Sequence, residues 1–180
     1  MADFTDHITE KHAAFIEKQP MYFTATACAE GRINLSPKGM DSFRVLGPNL
    51  CGYLDVTGSG NETSAHIKND GRITVMFNSF TRNALILRLY GKGRVVRPHH
   101  DGFDELAAKF PQLPGTRQII LIDVESVQTS CGYGVPEMEL KAERQTLKKW
   151  AEGKGEDGID TYQQKNNVTS IDGFDAGLMD

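Results

Sequence analysis

Residues Tyr53–Thr63 read YLDVTGSGNET. A β-type run, LCGYLDV, ends there in two glycines one residue apart and passes directly into a helical stretch. Such a turn belongs to a dinucleotide fold only inside a βαβ unit. Here Thr63 stands where the third glycine of G-x-G-x-x-G would be, and the flanking segments do not alternate strand and helix. Nor does the stretch close on the Gly-Lys-Ser/Thr of a Walker loop. The turn therefore has to be read against the strands around it.

Upstream, MYFTATAC and GRINLS form a hairpin pattern across a Glu-Gly turn. SFRVL and LCGYLDV are two more short strands, separated by Gly47-Pro48-Asn49. Downstream, Glu62 to Asn69 reads as a short helix ending at Asn69-Asp70-Gly71. RITVMFNSF and ALILRLYGKGRVV follow as long strands, with Gly91 and Gly93 suited to a bulge or bend. RQIILIDVESVQ is the last strong strand. Helical stripes are fewer. Ile8, His12, Phe15 and Ile16 mark one from Thr5 to Gln19, stopped by Pro20. Asp101 is placed to cap another, carrying Phe103, Leu106, Ala107 and Phe110. Beyond Pro136 the pattern is helical through Trp150, followed by GKGEDG, a short helix at Asp160 to Lys165 and a loose NNVTSIDGF tail. Six or seven strands that mostly follow one another predict a mainly β protein with flanking helices, an antiparallel sheet closing into a small barrel.

At 180 residues the chain is expected to form one domain that buries roughly two-thirds of its unfolded surface. A net charge of −4, with no basic block, gives no electrostatic reason to bind nucleic acid. No apolar run approaches the ~20 residues of a membrane helix, and the N-terminus has no signal-peptide pattern. Three cysteines without C-x-x-C spacing fit reduced thiols in a cytoplasmic protein.

Two stretches carry chemistry. In the glycine turn, Ser59 and Glu62 stand at capping-box spacing, and Thr57, Ser59, Asn61 and Thr63 are short hydrogen-bonding side chains. A helix start of this kind also presents backbone N–H groups to an anion, although Glu62 would oppose a dianion unless it turns away. The second stretch, INLSPKGMDSFRVL, supplies Ser36, Lys38 and Arg44, a hydroxyl and two cations near one bend. Solvated surface charges are the alternative. His99 and His100 would point to opposite faces of a strand, so no metal site is expected. Cys131, in a glycine-rich turn, is expected to be a buried structural cysteine. No catalytic acid, base or triad is singled out.

Together FTATACAEGRINLSPKG, SFRVL, YLDVTGSGNET, RITVMFNSF and LRLYGKGRVV resemble the pyridoxamine 5′-phosphate oxidase-like family of split barrels that bind flavin mononucleotide (FMN). The resemblance extends over PGTRQIILIDVESVQTSCGYGVP and SIDG, nearly the whole chain. It implies a six-stranded antiparallel split β-barrel forming one domain over residues 1–180, with the barrel at about 20–130 and a helical extension at about 136–180. It also implies a homodimer with FMN at its interface. Carried over by position, Arg44 matches a strand arginine, Thr57 a hydroxyl in the turn and Asn61 a serine. The implied FMN residues are Ser36, Lys38, Arg44, Thr57, Gly58, Ser59, Asn61 and Thr63. Two departures stand out. The basic pair of the true oxidases falls at Glu62 and Thr63, and their Arg- and Trp-containing C-terminal segment is missing. Vitamin B6 oxidation is therefore not expected. The implied activity is an FMN-dependent oxidoreductase passing electrons from NAD(P)H or an organic donor to a small molecule. A non-enzymatic flavin-binding or redox-sensing protein, or the same barrel holding haem or a deazaflavin, remain open at this level.

Overall fold

The computed structural model describes residues 2–180. Eight strands form one antiparallel sheet: β1 (Asp3–Thr5), β2 (Tyr22–Thr26), β3 (Asn34–Lys38), β4 (Phe43–Gly47), β5 (Leu50–Val56), β6 (Arg72–Asn78), β7 (Ile86–Val96) and β8 (Thr116–Ser130). Four helices flank it: α1 (Glu10–Ile16), α2 (Glu62–Asn69), α3 (Phe103–Ala107) and α4 (Thr146–Asn166). The strand order is β3-β2-β6-β7-β8-β5-β4, with β1 added to β8. The count exceeds the expected six. Seven strands fall on runs read from the sequence; β1 is only three residues long and has no alternating pattern.

The sheet curls until strands far apart in that order meet. Tyr22 of β2 packs edge-on against Phe43 of β4 at 5.2 Å and Tyr53 of β5 at 5.8 Å. Its hydroxyl lies 2.8 Å from Ser42 Oγ. Inside this curl, alternate residues of the strands form the main core: Ile73, Val75 and Phe77 of β6, Leu87 and Leu89 of β7, Ile120 and Ile122 of β8. Strand β8 reads as an unbroken apolar run because both of its faces are covered. Ile119 and Leu121 point the other way, into a second cluster with Leu54, Phe103 and Phe110 beneath α3.

The bulge expected near Gly91 lies opposite it: the register shifts between Tyr90 and Gly91, and the extra residue is Glu125 of the partner strand β8. A Cβ on Gly91 would sit 2.1 Å from the Asp123 carbonyl oxygen, so only glycine fits. A second shift, between Asp55 and Val56, leaves Arg117 unpaired opposite β5.

Several local expectations are corrected. The first helix starts at Glu10, capped by Thr9, and not at Thr5, which pairs with β8 as the end of β1. Asp101 caps nothing; α3 is entered through Gly102 at φ +78°. Residues 136–145 are coil, and α4 (Thr146–Asn166) consists of two helical segments that meet at a kink within GKGEDG, at Gly155 (φ 65°, ψ 177°). The tail beyond is packed, not loose: Asn167 and Ala176 are fully buried. Among the described residues no helix is long and apolar enough to cross a membrane.

The bulge yields a direct test. Gly91→Ala should destabilise the fold by about 1–3 kcal/mol through overpacking. Gly153→Ala, whose Cβ would meet nothing within 4 Å on α4, should be neutral or slightly stabilising. Urea unfolding of the two variants against the parent measures the contrast.

Candidate functional site

The curl brings β3 against the end of β5, and a buried ion cluster forms where they meet. Lys38 Nζ lies 2.9 Å from Asp55 Oδ1, and Arg117 Nη2 lies 2.7 Å from Asp55 Oδ2. The bulge turns Arg117 toward the same carboxylate that Gln118 reaches, and Gln118 Nε2 donates to Asp55 Oδ2 at 2.9 Å. Asp55 is only 2% exposed. Burial by itself would raise its pKa, but the Lys38 ammonium and Arg117 guanidinium outweigh it and hold the carboxyl well below the usual range. Burial would likewise lower Lys38, and the neighbouring carboxylate pushes it up instead. One carboxylate thus stands between two cations.

From this cluster the hydrogen bonds run into the glycine turn. Gln118 Nε2 donates to Asn61 Oδ1 at 2.8 Å, and Arg117 Nη1 donates to the Gly60 carbonyl at 3.0 Å. Asn167, just past α4, closes the ring. Its Oδ1 accepts from Arg117 Nη1 at 2.6 Å, its Nδ2 donates to the Gly58 carbonyl at 3.2 Å, and its carbonyl accepts from Asn61 Nδ2 at 3.2 Å. Thr57 Oγ1 donates to the Gly115 carbonyl and accepts from Gln163 Nε2. The turn is held from behind by the C-terminal helix and its tail.

This arrangement replaces the expected capping box. The residue before α2 is Asn61, whose side chain makes no cap bond. The Glu62 carboxylate turns to the tail and accepts from the Ile171 N–H at 3.0 and 3.2 Å.

Two cavities open on the turn. One, of about 650 Å³, is lined by Asn34, Ser36, Asp55, Gly58, Ser59, Gly60, Asn61, Thr63 and Arg117, with Thr169 and Ser170 of the tail. The other, of about 690 Å³, is bounded by Pro20, Met21, Met40, Thr57, Leu147, Trp150 and Tyr162. Pro37, Lys38, Gly58 and Ser59 belong to both. Of the eight residues singled out from the sequence, seven meet here: Ser36, Lys38, Thr57, Gly58, Ser59, Asn61 and Thr63. Arg44 does not. Its guanidinium is taken up by Asp41 at 2.8 and 2.9 Å and by the carbonyls of Phe43 and Lys109, beside a separate cavity. Cys131 is exposed, contrary to the buried role expected of it; Cys51 is the buried cysteine. His100 Nδ1 faces the Arg97 backbone N–H, and His99 faces the Asp180 carbonyl.

Residues 8–131 match the family profile described as pyridoxamine 5′-phosphate oxidase. The chain belongs to the pyridoxamine 5′-phosphate oxidase family. A relative of the same family from Aspergillus flavus, the family protein ustO, is 36% identical over 97% of this chain and 77% of its own. Solved structures share the fold at lower identity. HupZ of Group A Streptococcus is 23% identical with a TM-score of 0.54, covering 67% of this chain and 91% of that one. A proposed pyridoxamine 5′-phosphate oxidase from Lactobacillus delbrueckii is 23% identical with a TM-score of 0.54, covering 68% and 94%.

Family membership accounts for the barrel, whereas Asp55, Arg117, Gln118 and Asn167 were not singled out from the sequence. A lone Asp in LCGYLDV and an Arg-Gln pair before IILI are the available signals, since charges inside apolar runs need buried partners.

The ion cluster sets a pH dependence. Asp55 is held below its unfolded value of about 3.9, so its stabilisation is complete above that pH and is lost as pH falls toward the folded value. Lys38 is raised, so its share is complete below about pH 10.4 and is lost as pH rises through the folded value. Asp55→Asn should therefore cost about 3–5 kcal/mol at pH 7 by leaving two cations unpaired. Its gap to the parent should begin to narrow below about pH 4, where the unfolded chain takes up a proton at this position that the folded Asp55 still refuses. Unfolding curves across pH 2–8 test this; a constant gap would remove Asp55 from the acid limb.

Proposed function

We propose that the chain binds FMN beside the glycine turn and acts as an FMN-dependent oxidoreductase between a reduced donor such as NAD(P)H and a small-molecule acceptor. The observation that carries this reading is Gly58. Its φ is not in the left-handed region, and a Cβ there would meet nothing within 4 Å. Neither backbone conformation nor protein packing requires glycine at this position, yet it lines both cavities. Close approach of a ligand to bare backbone supplies the reason.

The donor set suits the arm of a flavin. Ser36 and Ser59 offer hydroxyls to the ribityl chain, with Asn34 and Thr63 behind them. Asn61 and Asn167 fix the turn that carries them. Lys38 and Arg117, only one of which Asp55 neutralises, give the wall the positive charge a phosphate needs, while Glu62 is drawn off to the tail. When bound, FMN supplies the two-electron hydride chemistry. The chain positions it, shields it and limits what can reach it.

A homodimer is part of this reading. Ile33 just before β3, Leu35 on β3 and Ile171 of the tail, which are 77%, 65% and 70% exposed, are large apolar side chains that a second copy would cover. Three free cysteines accord with a cytoplasmic setting. Pyridoxamine 5′-phosphate is not the favoured substrate, because the cations at the wall are already engaged by Asp55 and by the cofactor's own phosphate.

The test is uptake of FMN, followed by quenching of its fluorescence. The parent should bind about one FMN per chain, and Gly58→Val should weaken binding at least tenfold with its unfolding curve unchanged. Arg44→Ala should leave uptake unaltered. A parent that takes up no FMN overturns the proposal, and a Soret band in its absorption spectrum would assign the barrel to haem. NADPH oxidation by the loaded protein then separates an oxidoreductase from a flavin carrier.

A further inference from the structure

The apolar cavity holds more than a flavin arm requires, and its walls differ in kind from those of the polar one. Its far wall is built by α4. Trp150 and Tyr162 meet edge-to-face, with ring centroids 5.1 Å apart and planes at 83°. Lys154 lies 5.4 Å from both ring centroids and fixes the corner they make. Met21 and Met40 line the same cavity, and their flexible thioethers adapt to the shape of a ring system.

The charged side chains of this cavity are either paired or at its exposed edge. Lys38 belongs to Asp55, and Glu143 and Arg144 stand next to each other on the exposed coil before α4. Among the described residues, no cation lining this cavity is both buried and without a partner. Aromatic rings at right angles, methionine and proline bind planar apolar surface best. The volume of about 690 Å³ falls within the range of cavities that enclose a drug-sized molecule.

We infer that this cavity is a binding site for a planar, uncharged ring compound, seated against Trp150 and Tyr162 next to the glycine turn. Its meaning as the seat of the second reactant rests on the flavin reading. The binding itself does not, and it can be measured without flavin. Pro37, Lys38, Gly58 and Ser59 are the shared boundary across which the two ligands would meet.

Trp150 is the only tryptophan in the chain, so its emission reports this cavity alone. Coumarin, a neutral planar bicycle, is the probe, titrated into flavin-free protein with pyridoxamine 5′-phosphate as the anionic comparator. The expected result is saturable quenching by coumarin and at least tenfold weaker binding of the phosphate compound. Tyr162→Ala should weaken coumarin binding about tenfold. Ala142→Phe, on an exposed part of the wall, should do the same by filling space without touching the core. Both variants should keep their FMN uptake. Unsaturable quenching, equal quenching in Ala142→Phe, or tighter binding of pyridoxamine 5′-phosphate would overturn the inference. Coumarin binding in a protein that takes up no FMN would leave this site standing while the flavin reading fell.

Discussion

A carboxylate held between two cations is the constraint on which the rest of this molecule depends. Asp55 comes from β5, Lys38 from β3 and Arg117 from β8. In the sheet order β3 lies at the far end from β5, so the contact exists only because the sheet has curled. Burying three charges is costly unless each is paired with good geometry. That cost enforces closure: any opening of the barrel on this side leaves a charge stranded in an apolar setting. Closure of the sheet and shape of the cavity wall are consequences of the same three side chains.

The glycine turn inherits its geometry from this cluster and not from its own helix. A capping box would have made the turn self-sufficient. Asn61 instead points its amide at Gln118 and the Asn167 carbonyl, and Glu62 reaches out to the tail. Backbone carbonyls at Gly58 and Gly60 are satisfied by side chains more than fifty residues away. A turn fixed from behind in this way leaves its front face, Gly58 and Ser59, clear toward both cavities.

This division explains what could be read from the sequence. Strand and turn signals are local, so β2 through β8 and the boundaries of α2 were legible from alternation and glycine punctuation. Ser36, Lys38, Thr57, Gly58, Ser59, Asn61 and Thr63 could be picked out because they cluster in two short stretches. Arg44 was grouped with them by its place in the same stretch and by the family's strand arginine, but Asp41, three residues away, holds it elsewhere. Arg117 and Asn167 were out of reach for a different reason. Arg117 faces the site only through a β-bulge, and bulges depend on pairing register, which local patterns do not encode. Asn167 lies more than a hundred residues from its partners in the turn, and the three glycines of GKGEDG hid the kinked helix that delivers it.

Strand β8 pairs with β1, β5 and β7, so most of the sheet waits for residues 116–130. Such a non-local topology folds slowly, and a chain emerging from the ribosome cannot close the barrel until β8 has been made. Even then the glycine turn lacks its rear support until Asn167 follows. During synthesis the polar cavity is consequently assembled after the core, and an incomplete chain exposes the turn without holding it in shape. The polar cavity is in that sense the last part of the molecule to be completed, and only in chains whose C-terminal helix has already docked.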